Sequence, residues 1–173
     1  MLAHTVRNAT LNDAADIGLI GVLSWQVAYR GLMPDDFLDS LDVEKRTHSL
    51  HKLMENPDIT ILVVNDHDNI VGFSILNTSR DADAAPATGE IGAIYVHPDK
   101  WKRGFGRALL SASIDQARER GFDEITLWVV EGNQRARGFY EYLGFTSDGA
   151  VKDIQLLEDV TVREVRYRLK LRT

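Results

Sequence analysis

Apolar residues along this chain follow two rhythms, one with helical spacing and one of compact β-type runs. Ile17, Ile20, Leu23 and Val27 recur at helical intervals. Just before them, Thr10-Leu11-Asn12-Asp13 reads as a capping box, with Thr10 as N-cap and Asp13 three residues on. The pattern predicts a helix reaching Arg30, with Gly31 as its C′ residue, preceded by a short strand from His4 to Asn8. Pro34 starts a second, short helix carrying Phe37, Leu38 and Leu41, with acids in the first turn where the helix dipole favours them. A third helix covers Val43 to Met54 and stops at Asn56-Pro57, because the residue before proline avoids the helical region.

The rhythm then changes. Ile59 to Val64 and Ile70 to Leu76 are strand-like runs joined by the polar turn Asn65 to Asn69, which predicts a hairpin. Arg80 to Gly89 is polar and alanine-rich, with Pro86 inside it, and is expected to be a mobile surface loop. Ile91 to Val96 reads as a buried strand, and Pro98 in His97-Pro98-Asp99 has no N–H to continue a ladder. A helix from about Arg107 to Arg120 follows, with Leu110, Ile114 and Ala117 on one face and Gly121 at its end. Glu124 to Val130 is the next strand. Glu131-Gly132-Asn133 turns into a helix reaching Leu143 and closed by Gly144. Val151 to Leu156 and Val160 to Leu171 complete the pattern as strands around a tip at Glu158-Asp159. This order predicts an α/β fold: a mixed sheet whose central strand–helix–strand unit is parallel and right-handed.

Composition narrows the function classes. At 173 residues the chain is expected to be one domain spanning 1–173, with no run near the roughly 18 apolar residues of a membrane span. No cationic-then-apolar leader is visible, so a cytoplasmic protein without membrane attachment is expected. The sequence has no cysteine, which removes disulfides, thiolate metal sites and a cysteine nucleophile. A net charge of −6 argues against a nucleic-acid partner. His48 and His51 lie at i, i+3 with no third ligand evident, so no metal is expected.

The chemistry concentrates after the central strand, in Lys102-Arg103-Gly104-Phe105-Gly106-Arg107. A strand, a glycine turn and a helix start in succession bring backbone N–H groups together, let an anion approach closely and present the positive end of a helix dipole. The third position of a dinucleotide fingerprint is Leu109, and no G-x-x-x-x-G-K-[ST] occurs, so the Rossmann and Walker readings both fail. An ordinary tight turn with solvated Lys102, Arg103 and Arg107 is the alternative.

The turn and its strand resemble motif A of the GCN5-related N-acetyltransferase (GNAT) superfamily, [QR]-x-x-G-x-[GA] after a strand ending in V-x-P. Asn133-Gln134-Arg135-Ala136-Arg137-Gly138-Phe139-Tyr140-Glu141-Tyr142-Leu143-Gly144-Phe145 is similar to its motif B, N-x-x-A-x-x-F-Y-x-x-x-G-F. The stretches Trp25 to Gly31 and Pro34 to Leu38 resemble the first helices of many bacterial members, and the order of elements agrees throughout. Trp101 stands where the superfamily usually has Gln or Arg.

The resemblance implies a central, mostly antiparallel sheet of about seven strands with a splayed parallel pair, flanked by four to five helices. It implies an acetyl-CoA-dependent N-acetyltransferase in which a primary amine attacks the thioester directly. The backbone of Lys102, Arg103, Gly104, Phe105, Gly106 and Arg107 would hold the CoA pyrophosphate. Ile94, Tyr95 and Val96 would pair with the pantetheine amides, with an N–H near Ile94 polarising the thioester carbonyl. Asn133 would cap the last helix and bond the cofactor, and Tyr140 would give a proton to the leaving thiolate. An alkyl amine of pKa near ~10.4 costs about 4–5 kcal/mol to deprotonate at neutral pH, so a base is expected. Glu90, fourteen residues before Gly104, is the candidate, the alternative being a solvated glutamate at the strand's start. Trp25 and Tyr29 are candidates for an acceptor pocket, the alternative being core aromatics. Small amines, polyamines, aminoglycosides, amino acids and protein amines all remain open as acceptor, and a homodimer paired through terminal strands is possible by analogy. A non-catalytic module that senses acyl-CoA or binds a partner is the competing reading; transfer of a longer acyl group is a third.

Overall fold

The computed structural model describes residues 4–171. Seven strands form one sheet: β1 Thr5–Asn8, β2 Thr60–Asp66, β3 Asn69–Thr78, β4 Thr88–Val96, β5 Glu124–Val130, β6 Thr146–Leu157 and β7 Val160–Lys170, in the spatial order β1-β2-β3-β4-β5-β7-β6. Every neighbouring pair is antiparallel except β4 and β5. Five helices cover the sheet: α1 Ala14–Ala28, α2 Asp35–Asp39, α3 Val43–Met54, α4 Phe105–Glu119 and α5 Gln134–Tyr142. The mixed α/β architecture expected from the sequence is therefore present.

Two apolar layers sandwich the sheet. On one face Leu110 and Ala117 of α4 and Tyr140 of α5 bury against Ile91, Ile125, Leu127 and Val165. On the other, Ala14, Ile17 and Ile20 of α1 and Leu50 of α3 bury against Ile61, Val63 and Phe73. The start of α1 forms as its sequence dictates: the Asp13 carboxylate accepts from the Thr10 N–H at 2.7 Å and from the Thr10 hydroxyl at 3.1 Å. Arg7 of β1 donates to the same carboxylate at 2.7 Å, tying the helix to the edge strand.

The central pair is the unusual part. β4 and β5 are paired only from Thr88↔Glu124 to Ile91↔Leu127. Beyond Ile91 the register of β4 against β3 jumps, with Leu76 opposite Ile91 and Ile75 opposite Ala93. Gly92 is thus an extra residue, a β-bulge, which bends a strand and adds twist. From that point β4 runs on to Val96 and β5 to Val130 without pairing each other. The bulge also inverts side-chain parity. Ile91 faces α4, yet after Gly92 it is Ile94 and Val96 that pack toward α4, while Ala93 and Tyr95 pack toward α1.

Three expectations need correction. The stretch from Arg80 to Gly89 is not a mobile loop: its last two residues belong to β4, and three of its side chains are tethered. Arg80 pairs with Glu90 at 2.7 Å, and Asp81 accepts from Trp128 Nε1 at 3.0 Å. Asp81 and Asp83 both accept from the buried Arg166 of β7, at 3.0 and 2.6 Å. Second, β6 begins at Thr146 and not near Val151. Its ladder with β7 skips Asp148 to Ala150, where Asp148 instead accepts from Arg166 and Arg168. Polar composition hid both segments, because their order comes from long-range charge pairs that no local pattern announces. Third, the first helix ends at Ala28, and Arg30 already belongs to the following turn.

Candidate active site

Where β4 and β5 part, a cleft of about 400 Å³ opens, lined on one side by Ile94, Tyr95 and Val96 of β4 and on the other by Trp128 and Val129 of β5. Unpaired strand edges in its walls leave backbone groups of β4 directed toward any extended amide chain laid there.

One end of the cleft is the glycine turn, and it is built from backbone. Gly104 takes φ +87° as the N-cap of α4, and Lys102 takes φ +62°. Left-handed residues here point successive N–H groups into the turn, and the first N–H groups of α4 have no partner within the helix. His4 steadies the outside: its Nε2 lies 2.8 Å from the Arg103 carbonyl oxygen and its ring lies 4.1 Å from that of Phe105. A Cβ on Gly104 would come within 3.1 Å of that imidazole. Gly106 lines the cleft, and a Cβ there would sit 3.4 Å from Phe139 of α5.

Trp101 walls the turn. Its Nε1 donates to the Val96 carbonyl at 2.7 Å, and Ser24 of α1 donates to the same oxygen at 3.0 Å, so the end of β4 is held by two side chains. Arg135 lies with its guanidinium carbon 3.2 Å from the centroid of the Trp101 ring, a cation–π stack on the cleft surface. Burial lowers the Arg135 pKa from its ordinary value. The sequence pattern gives no role to Arg135, which it shows only as a residue inside motif B, and none to Ser24. Arg135 follows the helix cap at Asn133 by two residues, and that position in the first turn was the available signal.

Asn133 lines the cleft, and its side chain accepts from the Ala136 N–H at 3.1 Å, capping α5 as expected. On the next turns Phe139 and Tyr140 reach the cleft. The Tyr140 ring is buried edge-on against Phe139 at 5.4 Å and close to Phe145 at 5.9 Å. Its hydroxyl makes no hydrogen bond among the described residues. Burial raises the Tyr140 pKa, and the nearby Tyr95 adds to the shift, so this phenol keeps its proton across neutral pH.

The α1 side of the cleft is built from side chains. Tyr29 and Tyr95 both line it, with hydroxyls 3.3 Å apart. Burial pushes both phenols above their ordinary value. Trp25 packs edge-on against Tyr29 at 4.9 Å under Arg46, but does not itself line the cleft. Glu90 is 3 % exposed, and both its oxygens are taken, one by the Arg80 guanidinium at 2.7 Å and one by the Arg80 N–H at 3.1 Å. It precedes the bulge and is not among the residues lining the opening, whereas Ile91 and Gly92 are. The picture of a solvated glutamate at the strand's start does not hold. Of the residues singled out from the sequence, the fold therefore brings Tyr29, Ile94, Tyr95, Val96, Lys102, Gly104, Phe105, Gly106, Arg107, Asn133 and Tyr140 together, and leaves Trp25, Glu90 and the Arg103 side chain outside the lining.

Comparison with known proteins matches this frame. Residues 24–145 match the profile of a family described as Acetyltransferase (GNAT) family. An uncharacterized N-acetyltransferase of Bacillus subtilis, YuaI, is 27 % identical over 166 residues, covering 93 % of this chain and 90 % of that protein. A mycothiol acetyltransferase of Beutenbergia cavernae is 41 % identical over 91 residues, which is 53 % of this chain but only 29 % of that longer enzyme. Among solved structures, a PaiA N-acetyltransferase of Thermoplasma acidophilum in complex with coenzyme A superposes with a TM-score of 0.75 at 19 % identity, covering 98 % of this chain and 99 % of that one. A putative acetyltransferase of Salmonella typhimurium, YncA, with acetyl-CoA gives a TM-score of 0.74 at 23 % identity, covering 98 % and 95 %.

Proposed function

Because this chain belongs to the acetyltransferase (GNAT) family, we propose that it transfers an acetyl group from acetyl-CoA to a primary amine, by direct attack of the amine on the thioester. The observation that carries the reading is the continuity of one cleft: a left-handed glycine turn at its mouth, unpaired β4 backbone along its wall and an unbonded Tyr140 hydroxyl inside it. In this reading the N–H groups of residues 102–107 hold the pyrophosphate, and β4 beyond Gly92 receives the pantetheine amides as an added strand.

A backbone N–H near Ile94 supports the oxygen of the tetrahedral intermediate, an effect worth about 3–4 kcal/mol for a well-aimed donor. Tyr140, held protonated by its burial, offers its proton to the departing sulfur. Glu90, with Arg80 on both oxygens, would serve the acceptor amine only through water. The sequence has no cysteine to carry a covalent acetyl intermediate, which supports direct attack by the acceptor. None of the described helices is long and apolar enough to cross a membrane, which is compatible with a cytoplasmic enzyme using the cytoplasmic acetyl-CoA pool.

The test combines calorimetry of acetyl-CoA with release of free thiol over a panel of amines. Binding together with acceptor-dependent release is expected. Binding without release for any amine would move the reading to an acyl-CoA-sensing module, and faster release from longer acyl-CoAs would change the donor.

A further inference from the structure

A carboxylate without a role so far, Glu164, lies beside the cleft on the α1 face of the sheet, behind the lining residues Tyr29 and Trp128. Val130 and Glu164 are register partners on β5 and β7, so their side chains leave the same face of the sheet. On that face Val130 packs with Tyr29 in the buried cluster beneath α1 and α2. Lys152, the register partner of Glu164 on β6, places its Nζ 3.6 Å from Glu164 Oε2 and 4.1 Å from the centroid of the Trp128 ring. Trp128, Tyr29 and Tyr95 line the cleft. A primary ammonium of the protein's own thus already rests between an indole face and a carboxylate, the arrangement that recognises an alkylammonium ion.

The two carboxylates on this face differ in their partners. Glu90 is closed off by two short bonds from Arg80. Glu164 has a single long contact with a lysine, and the charged or titratable groups facing it are Lys152, Glu90, Tyr29 and Tyr95. Burial raises the Glu164 pKa, Glu90 adds to the rise, and Lys152 opposes it. The carboxylate held by a single lysine contact is the one left able to take a proton.

We propose that Glu164 is the general base of acetyl transfer and that, with Tyr29, Tyr95 and Trp128, it forms a subsite for a primary alkylammonium acceptor, whose position Lys152 Nζ marks. The proposal rests on the acetyltransferase reading above. The step balances as follows. The Glu164 carboxylate takes one proton from the acceptor ammonium, freeing the nitrogen lone pair. The C–N bond forms at the thioester carbonyl carbon, and the C–S bond breaks with its electron pair on sulfur. The thiolate takes a proton from Tyr140, which regains one from the nitrogen of the new amide. One proton leaves for solvent from Glu164. Lys152 must move aside as the acceptor enters.

Glutamate-labelled protein with carboxyl carbon NMR tests this without requiring turnover, the Glu164 resonance being assigned by its loss in Glu164→Gln. Adding n-butylammonium to the acetyl-CoA complex is expected to lower the pH midpoint of that resonance, because a cation alongside favours the ionised form, while n-butanol leaves it in place. With any amine that turns over, Glu164→Gln is expected to lower kcat/KM about 100-fold or more and to remove the acidic limb of the pH profile, with acetyl-CoA affinity unchanged. Glu90→Gln should cost less and keep the limb. Should Glu164→Gln fold poorly, Glu164→Asp gives the assignment and a partial loss. A midpoint unmoved by saturating n-butylammonium, or an intact acidic limb in Glu164→Gln, overturns the proposal. Absence of acetyl-CoA binding to the unaltered protein would instead overturn the parent reading.

Discussion

The two sides of the cleft are made of different material. The side formed by residues 101–107 and the start of α5 is shaped by backbone: a left-handed Gly104, a capped helix start and an unpaired strand edge. The α1 side is shaped by side chains drawn from three distant places: Tyr29 just after α1, Tyr95 on β4 and Trp128 on β5. Backbone geometry repeats wherever its ligand repeats, whereas a surface of side chains is re-cut for each ligand. Such a division suits an enzyme whose donor is common to a family and whose acceptor is its own.

The division can be broken first on the backbone side. Gly106→Val should place methyl groups between Phe139 and the cleft and weaken acetyl-CoA binding about 100-fold or more by calorimetry, with the far-UV spectrum unchanged. Truncating the side chains of Lys102 or Arg103 to alanine should cost less than about tenfold, since surface charges contribute ~1 kcal/mol or less each. Equal losses from all three would show that the turn binds through its charges and would collapse the contrast.

Next in size is the tether behind the acceptor side. Arg166 is buried among Asp81, Asp83 and Asp148. Arg166→Met leaves Asp81 and Asp83 without their cation and Asp148 with Arg168 alone, and should destabilise the fold by about 3 kcal/mol, read in urea titration. It should also free residues 80–87 to proteolysis while acetyl-CoA affinity in the folded protein holds. A third, smaller effect belongs to Tyr140→Phe: kcat is expected to fall about 10- to 100-fold with little change in acetyl-CoA affinity, and unchanged turnover would remove this residue from the mechanism.

The mildest effect is expected where α1 meets β1. The Asp13 carboxyl is lowered from 3.8 to about 2, chiefly by its bond from Arg7. A depressed carboxyl adds stability that is fully present above its unfolded value and is lost as the pH falls through the folded one. Asp13→Asn should therefore narrow the stability difference between neutral pH and pH near 2. A variant as stable as the parent at neutral pH would show that the acceptor-side helix does not depend on this anchor.

The same contrast decides what could be read from the sequence. Helices and strands with strong periodicity, the mixed sheet and the glycine turn were all visible, because each is encoded within a few consecutive residues. Asn133 and Tyr140 were visible for the same reason, being fixed to one helix start. The order of residues 80–87 was not visible, since it depends on an arginine more than eighty positions away. Nothing local marks Glu164 within the strand from Val160, and its place opposite Val130 and Lys152 exists only once β5, β6 and β7 are laid in register. Glu90 was found but its surroundings were not: Arg80 lies in the loop that composition marked as loose.

Gly92 gives this site an uncommon kind of vulnerability. Most strand positions are sensitive to which residue they hold, but here the count of residues matters more than their identity. One extra unit between Ile91 and Ala93 acts like a frameshift in the alternation of the strand. Removing it would leave Ile91, Ala93, Ile94 and Tyr95 in plain alternation on the faces they already hold, and would take away the bend and added twist at the point where β4 leaves β5. A change of length inside a strand, ordinarily the sort confined to loops, is thus the edit that acts most directly on the parting of β4 and β5.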